Sequence, residues 1–236
     1  MSVNFVGWTG KQYSKNFINS GTVSYAKDRG VDDIYAPMTA MEIQSLVDHF
    51  DDFSINGEAS SVTLQRALFA DKFQNDKTAE RAAILALSNE DLLNKWDGND
   101  HNSVFTKNAL TAQANDAQKA VNIYNAVNKF KDNTNVLEYF EYGINGNGAP
   151  KHGNDRFGTA ALYELAKATP DDPIWSTNDT LSGIKISDRQ GYIDAAKTIW
   201  NDPTTVHDLA AAGNDLIMKH QDFVDWINAH PLPTGE

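Results

Sequence analysis

Glu138 and Glu141 stand one helical turn apart, just ahead of the glycine-rich stretch Gly143-Ile-Asn-Gly-Asn-Gly148. A pair of carboxylates cleaves glycosidic bonds when its surroundings push the two pKa values apart, one group acting as acid and the other as base or nucleophile. Acidic helix faces in water carry the same spacing without any chemistry. His152 follows in the loop from Gly143 to Phe157, beside Lys151, Asp155 and Arg156, which makes this loop the place for ligand contact. The six histidines show neither HExxH nor HxH spacing, and no GxSxG, P-loop or dinucleotide fingerprint occurs. The glycine stretch lacks the Lys-Ser/Thr that a phosphate loop requires. With no cysteine in the chain, thiolate zinc sites, thiol nucleophiles and disulfides are excluded. Catalysis therefore rests on Glu138, Glu141 and His152 alone, and a non-enzymatic protein is the preferred expectation, with a glycan-acting hydrolase as the alternative.

Oxygen-rich loops offer a second chemistry. An EF-hand loop places oxygen ligands at positions 1, 3 and 5, glycine at 6, an apolar residue at 8 and a bidentate Glu at 12. With Gly57 at the glycine place, Asp52, Ser54 and Asn56 become the first three ligands and Ala59 the apolar residue. In a second loop Asp97 and Asn99 lead, with Val104 apolar; a further loop opens at Asp179. Where the bidentate Glu belongs these loops have Thr63, Asn108 and Gln190. The expectation is of structural loops without a metal or other cofactor, and weak calcium binding is the alternative.

These residues need helices to position them. Met38, Met41, Ile43, Leu46, Val47 and Phe50 recur at three- and four-residue steps behind Thr39, an N-cap for a first turn holding Glu42. Leu64, Leu68, Phe69 and Phe73 predict another helix, and Ala79, Ala82, Ala83, Leu85 and Ala86 a third. Alternating β-branched runs are almost absent, so an all-α fold is expected. Four aromatics (Phe50, Trp96, Phe140, Trp175) each lead into a Gly/Asn/Asp-rich loop, then a helix, then a break. The breaks are Gln74 to Lys77, Ala114 to Ala117, Pro170 to Pro173 and Trp200 to Pro203, and in them Asp76, Asp116, Asp172 and Asp202 are each placed to cap the next helix. The pattern predicts helix-loop-helix repeats with degenerate EF-hand-like loops, four units expected to pack as two pairs. An N-terminal segment, 1–35, is expected to pack on the core. The repeat domain, 36–230, comprises units 36–91, 92–135, 136–173 and 174–216 and then a C-terminal helix. Trp96, Trp175, Trp200 and Trp226 fall at helix ends and are expected to anchor the core.

Asn56-Gly57 with Ala59-Ser60, Asp97 to Val104, Gly183 with Ile186-Ser187, and the run from Asn201 to Ala212 together resemble degenerate repeats of Hrp/Nol-type translocon and effector proteins. That family belongs to type III secretion in plant-associated bacteria. The resemblance spans roughly 46 to 216 and implies a secreted, virulence-associated protein acting through protein partners. The family's intact Asp-Gly-Lys-Ile-Ser loop and its membrane-inserting apolar segment do not occur here.

Charge narrows the partners. In 236 residues, 20 Lys and Arg face 32 Asp and Glu, a net charge of −12, which disfavours phosphate backbones and anionic lipid. No apolar run approaches the ~20 residues of a membrane-spanning helix. The start lacks the basic and apolar regions of a signal peptide, so the expectation is a soluble chain whose export needs a signal-peptide-independent route.

Overall fold

The structure, a computed structural model, describes residues 20–34, 36–97, 104–133, 135–137, 139, 158–177, 181–211 and 218–233. Over these residues the chain is mostly helical with one two-stranded ladder. In order the elements are α1 (Ser20–Asp28), α2 (Ala40–Asp48), α3 (Phe50–Phe53), β1 (Glu58–Ser60), α4 (Ser61–Phe69), α5 (Lys77–Leu87) and α6 (Glu90–Trp96). Then come β2 (Val104–Thr106), α7 (Lys107–Lys131), α8 (Gly158–Lys167), α9 (Ile174–Thr177), α10 (Ile186–Trp200), α11 (Pro203–Ala211) and α12 (His220–Ala229). The chain divides into two compact units that part within α7, between Lys119 and Ala120.

Local chemistry sets the helix ends. Thr39 and Glu42 form a reciprocal capping box, the Glu42 amide donating to Thr39 Oγ1 and the Thr39 amide to Glu42 Oε2 at 2.6 Å. Such a cap contributes about 1 kcal/mol. Asp76 caps α5 by accepting from the Thr78 and Ala79 amides at 2.9 and 3.0 Å. Asp202, buried, takes both the amide and the hydroxyl of Thr205 at the start of α11, and Asp172 accepts from the Ile174 amide ahead of α9. Helix α1 stops at Gly30, whose φ of 74° is left-handed. The Gly30 amide bonds Lys27 O and the Val31 amide bonds Ala26 O, a Schellman close.

The fourth expected cap is not one. Asn115 and Asp116 lie mid-way along α7, exposed, between the buried Ala114 and Ala117. Asn-Asp costs a helix little when its side chains face water and small apolar residues keep the buried stripe continuous. The segment from Ala114 to Ala117 is therefore helix, not a break.

In the N-terminal unit, α2, α4, α6 and α1 all pack on α5, whose Ala79, Ala82, Ala83 and Leu85 are buried. The ladder adds an aromatic plug. Strand β1 runs antiparallel to β2 with Ala59 opposite Phe105, and Phe105 meets Trp96 at 5.3 Å, Phe50 at 6.3 Å and Phe53 at 6.4 Å between ring centroids. Two buried carboxylates with cationic partners complete the unit. Glu42 pairs with Arg81, while Glu80 receives Arg29 Nη1 at 2.8 Å and Lys77 Nζ at 2.7 Å. The Tyr25 hydroxyl reaches Leu68 O at 3.1 Å and Glu80 Oε1 at 3.2 Å, and burial together with the Glu80 charge pushes that phenol up to about 12.

In the C-terminal unit α8 packs along α10, and α11 joins α10, α12 and α8. Phe130, Tyr192 and Phe223 form its aromatic centre, with Asn133 Nδ2 donating to the Tyr192 hydroxyl at 2.6 Å. Trp175 is fully buried and donates its indole N–H to Thr169 O at 2.8 Å. Trp96 and Trp226 are core residues as expected, but Trp200 is 37% exposed and leans on Tyr163 at 4.9 Å. Among the described residues no helix is long and apolar enough to cross a membrane.

Candidate functional site

Of the residues singled out for chemistry, Glu138, Glu141, His152, Asn99 and Asp179 lie outside the described residues. The helical residues around the first two, Val136, Leu137 and Tyr139, are core, and burial raises the Tyr139 phenol well above its ordinary range.

The first oxygen-rich loop is placed in full. Asn56 and Gly57 take φ values of 55° and 82°, and Ile55 and Glu58 exchange amide-to-carbonyl bonds of 2.7 and 3.1 Å across them. Left-handed backbone at both central residues defines a tight hairpin turn, for which Asn-Gly is a preferred pair. Asp52 turns back to His49, its Oδ2 2.7 Å from Nδ1. Thr63, at the place of the bidentate Glu, is taken up in a box with Ser60: the Ser60 amide donates to Thr63 Oγ1 at 2.9 Å and the Thr63 amide to Ser60 Oγ at 3.3 Å. The ladder also shifts the second loop by one residue, because Phe105 and not Val104 stands opposite Ala59. Counted from Phe105, the place of the bidentate ligand falls at Ala109 rather than Asn108, and Asp97 precedes the loop's first ligand position. Asp97 itself is buried at the end of α6, its amide bonded to Leu93 O. Among the described residues no three His, Asp or Glu side chains gather where they could share an ion.

A groove in the N-terminal unit is the site that sequence reading missed. It encloses ≈ 480 Å³ between one face of α2 (Met41, Gln44, Asp48), the start of α5 (Asp76, Thr78) and the first half of α7 (Ala114, Asn115, Gln118). Helical spacing explains the α2 contribution, since residues 41, 44 and 48 share a face. Met41 belongs to the periodic apolar set yet is 71% exposed at this groove, so it is not a core residue.

Part of the lining belongs to a polar network. Ser45 Oγ donates to Asp76 Oδ2 at 2.9 Å, and His49 Nε2 sits 3.3 Å from the same oxygen while Nδ1 faces Asp52. The amide of Ala79, then the Ser45 hydroxyl, the Thr78 amide and the His49 charge hold the Asp76 carboxyl below its ordinary value, against a smaller cost of burial. Ser, His and Asp are thus neighbours, but in the wrong order for nucleophilic catalysis. That chemistry needs the histidine to accept the serine proton and the aspartate to orient the histidine, whereas here Ser45 and His49 both address the carboxylate. The network fastens α2 to the start of α5. Asp48, by contrast, faces the groove with one hydrogen-bond partner among the described residues, the neutral amide of Gln44 at 2.9 Å.

Compared with models of known protein families, with curated proteins and with solved structures, the chain matches none.

Proposed function

We propose that the chain acts through protein contacts rather than by catalysis, with the groove between α2, α5 and α7 as a contact surface. The observation that carries this is the character of the lining. A solvent-facing methionine, the two carboxylates of Asp48 and Asp76 and three amide side chains border an open groove, and Asp76 is already engaged by Ser45 and His49. Methionine is soft and unbranched, suited to repacking against a partner. The secretion and host-interaction setting rests on the resemblance of the repeats to Hrp/Nol-type proteins, and a secreted effector or secretion-associated protein is the reading it supports.

Asn115 is exposed on α7 and lines the groove, so Asn115→Trp fills the space without touching the core. The wild-type chain is expected to capture a partner from host or bacterial lysate equally with calcium and with chelator, and Asn115→Trp to lose it. Equal capture by both chains removes the groove from the function.

A further inference from the structure

We infer that the occupant of this groove is a basic peptide segment, one that sets an apolar residue on Met41 and a lysine or arginine against Asp48; this rests on the reading of the groove as a contact surface. Charge complementarity leads there. Among the described residues no Lys or Arg lines the groove, while Asp48 and Asp76 do, in a chain of net charge −12. The two acids are not equivalent. Asp76 already faces His49, Ser45 and two backbone amides. Asp48 meets, among the described residues, only a neutral amide and retains an oxygen for a cation. Arginine and lysine are the side chains that carry several N–H donors and no acceptor, so they suit a lining of carboxylate and amide oxygens.

Geometry narrows the segment further. Met41 and Asp48 lie seven residues apart on α2, about 10 Å along the axis at the rise of an α-helix. A partner helix lying beside α2 would match them with an apolar and a basic residue two turns apart. A second copy of this chain is a poor occupant, because two such net charges repel.

The test uses the full chain and a synthetic amphipathic peptide with leucine and arginine two turns apart, followed by calorimetry. A counterpart with glutamate for arginine serves as the opposite charge. Asp48→Asn is compared with Asp194→Asn, since Asp194 is also an exposed helical acid bonded to the Gln four residues before it, at 2.7 Å, but does not line the groove. The arginine peptide is expected to bind, about tenfold more weakly to Asp48→Asn, as withdrawal of a charge-assisted hydrogen bond requires. Met41→Ser should weaken binding severalfold, Asp194→Asn should leave it unchanged, and the glutamate peptide should not bind. Equal losses at Asp48 and Asp194, or none at Asp48, overturn the assignment, as does tighter binding of the glutamate peptide. If Asn115→Trp abolishes partner capture while the arginine peptide fails to bind, the groove stands as a contact surface and the basic occupant falls. If Asn115→Trp leaves capture intact, the underlying reading falls with it.

Discussion

Asp76 shows how much order one short side chain can hold. One oxygen closes the first turn of α5 and the other gathers Ser45 of α2 and His49 just beyond its end. Because folding lowers its pKa, the unfolded chain binds more protons at this site around the ordinary value of 3.8. The stabilisation is therefore present above that value and is lost as pH falls through the lower folded one. Asp76→Asn keeps an oxygen able to cap α5, since Asn is nearly as good an N-cap as Asp, but cannot ionise. The variant is expected to melt below the wild type at neutral pH, and the gap to close as pH falls beneath the ordinary carboxylate range. Thermal melts across a pH series check this, and a gap constant with pH would leave the ionised carboxylate no part in it. The caps Thr39, Asp76 and Asp202 were legible in the sequence because a cap needs only a polar residue at fixed spacing from its amides. What Asp76 does with its second oxygen was not, since Ser45 and His49 reach it only after α2 and α5 have packed.

At the scale of elements, the hairpin turn at Asn56-Gly57 decides what the first loop is. Gly57 stands at φ 82° with nothing within 4 Å of where a Cβ would be, so a side chain there meets backbone strain and no clash. Gly57→Ala is expected to cost about 1 to 2 kcal/mol, the penalty of a left-handed residue with a Cβ, read as a shift in the urea midpoint at unchanged slope. A smaller shift would mean that the turn re-forms in another type. Helix existence was readable from periodicity, and the fold class is all-α as expected apart from the ladder. The strands were not readable, because Glu58-Ala-Ser and Val104-Phe-Thr are too short to display alternation. Of two identical Asn-Asp pairs, one was read correctly and the other misled. At Asn75-Asp76 the pair ends a turn and caps a helix. At Asn115-Asp116 the same pair rides an exposed helix face, and only the flanking buried alanines distinguish the two.

Across the whole molecule, the net charge of −12 acts against compactness everywhere at once, while among the described residues the attractive pairs with a buried carboxylate and a partly covered guanidinium are Arg81 with Glu42 and Arg29 with Glu80. Salt screens long-range repulsion between exposed charges far more than it weakens buried pairs. The melting temperature is therefore expected to rise between low salt and about 0.5 M sodium chloride, where the Debye length drops below ~5 Å; a fall would show that surface attraction outweighs repulsion. Net charge was plain from composition, yet the groove was not, because its walls come from residues 40–48, 76–78 and 114–118, remote in sequence and joined only by packing. Helix α7 adds one more consequence. The chain's two compact units part inside a hydrogen-bonded helix, not in a linker, so a break at their boundary disturbs both. A cut between Lys119 and Ala120 would strip up to four carbonyls and four amides of their partners at the new ends, and recombination at that point would pass on half a helix to each descendant.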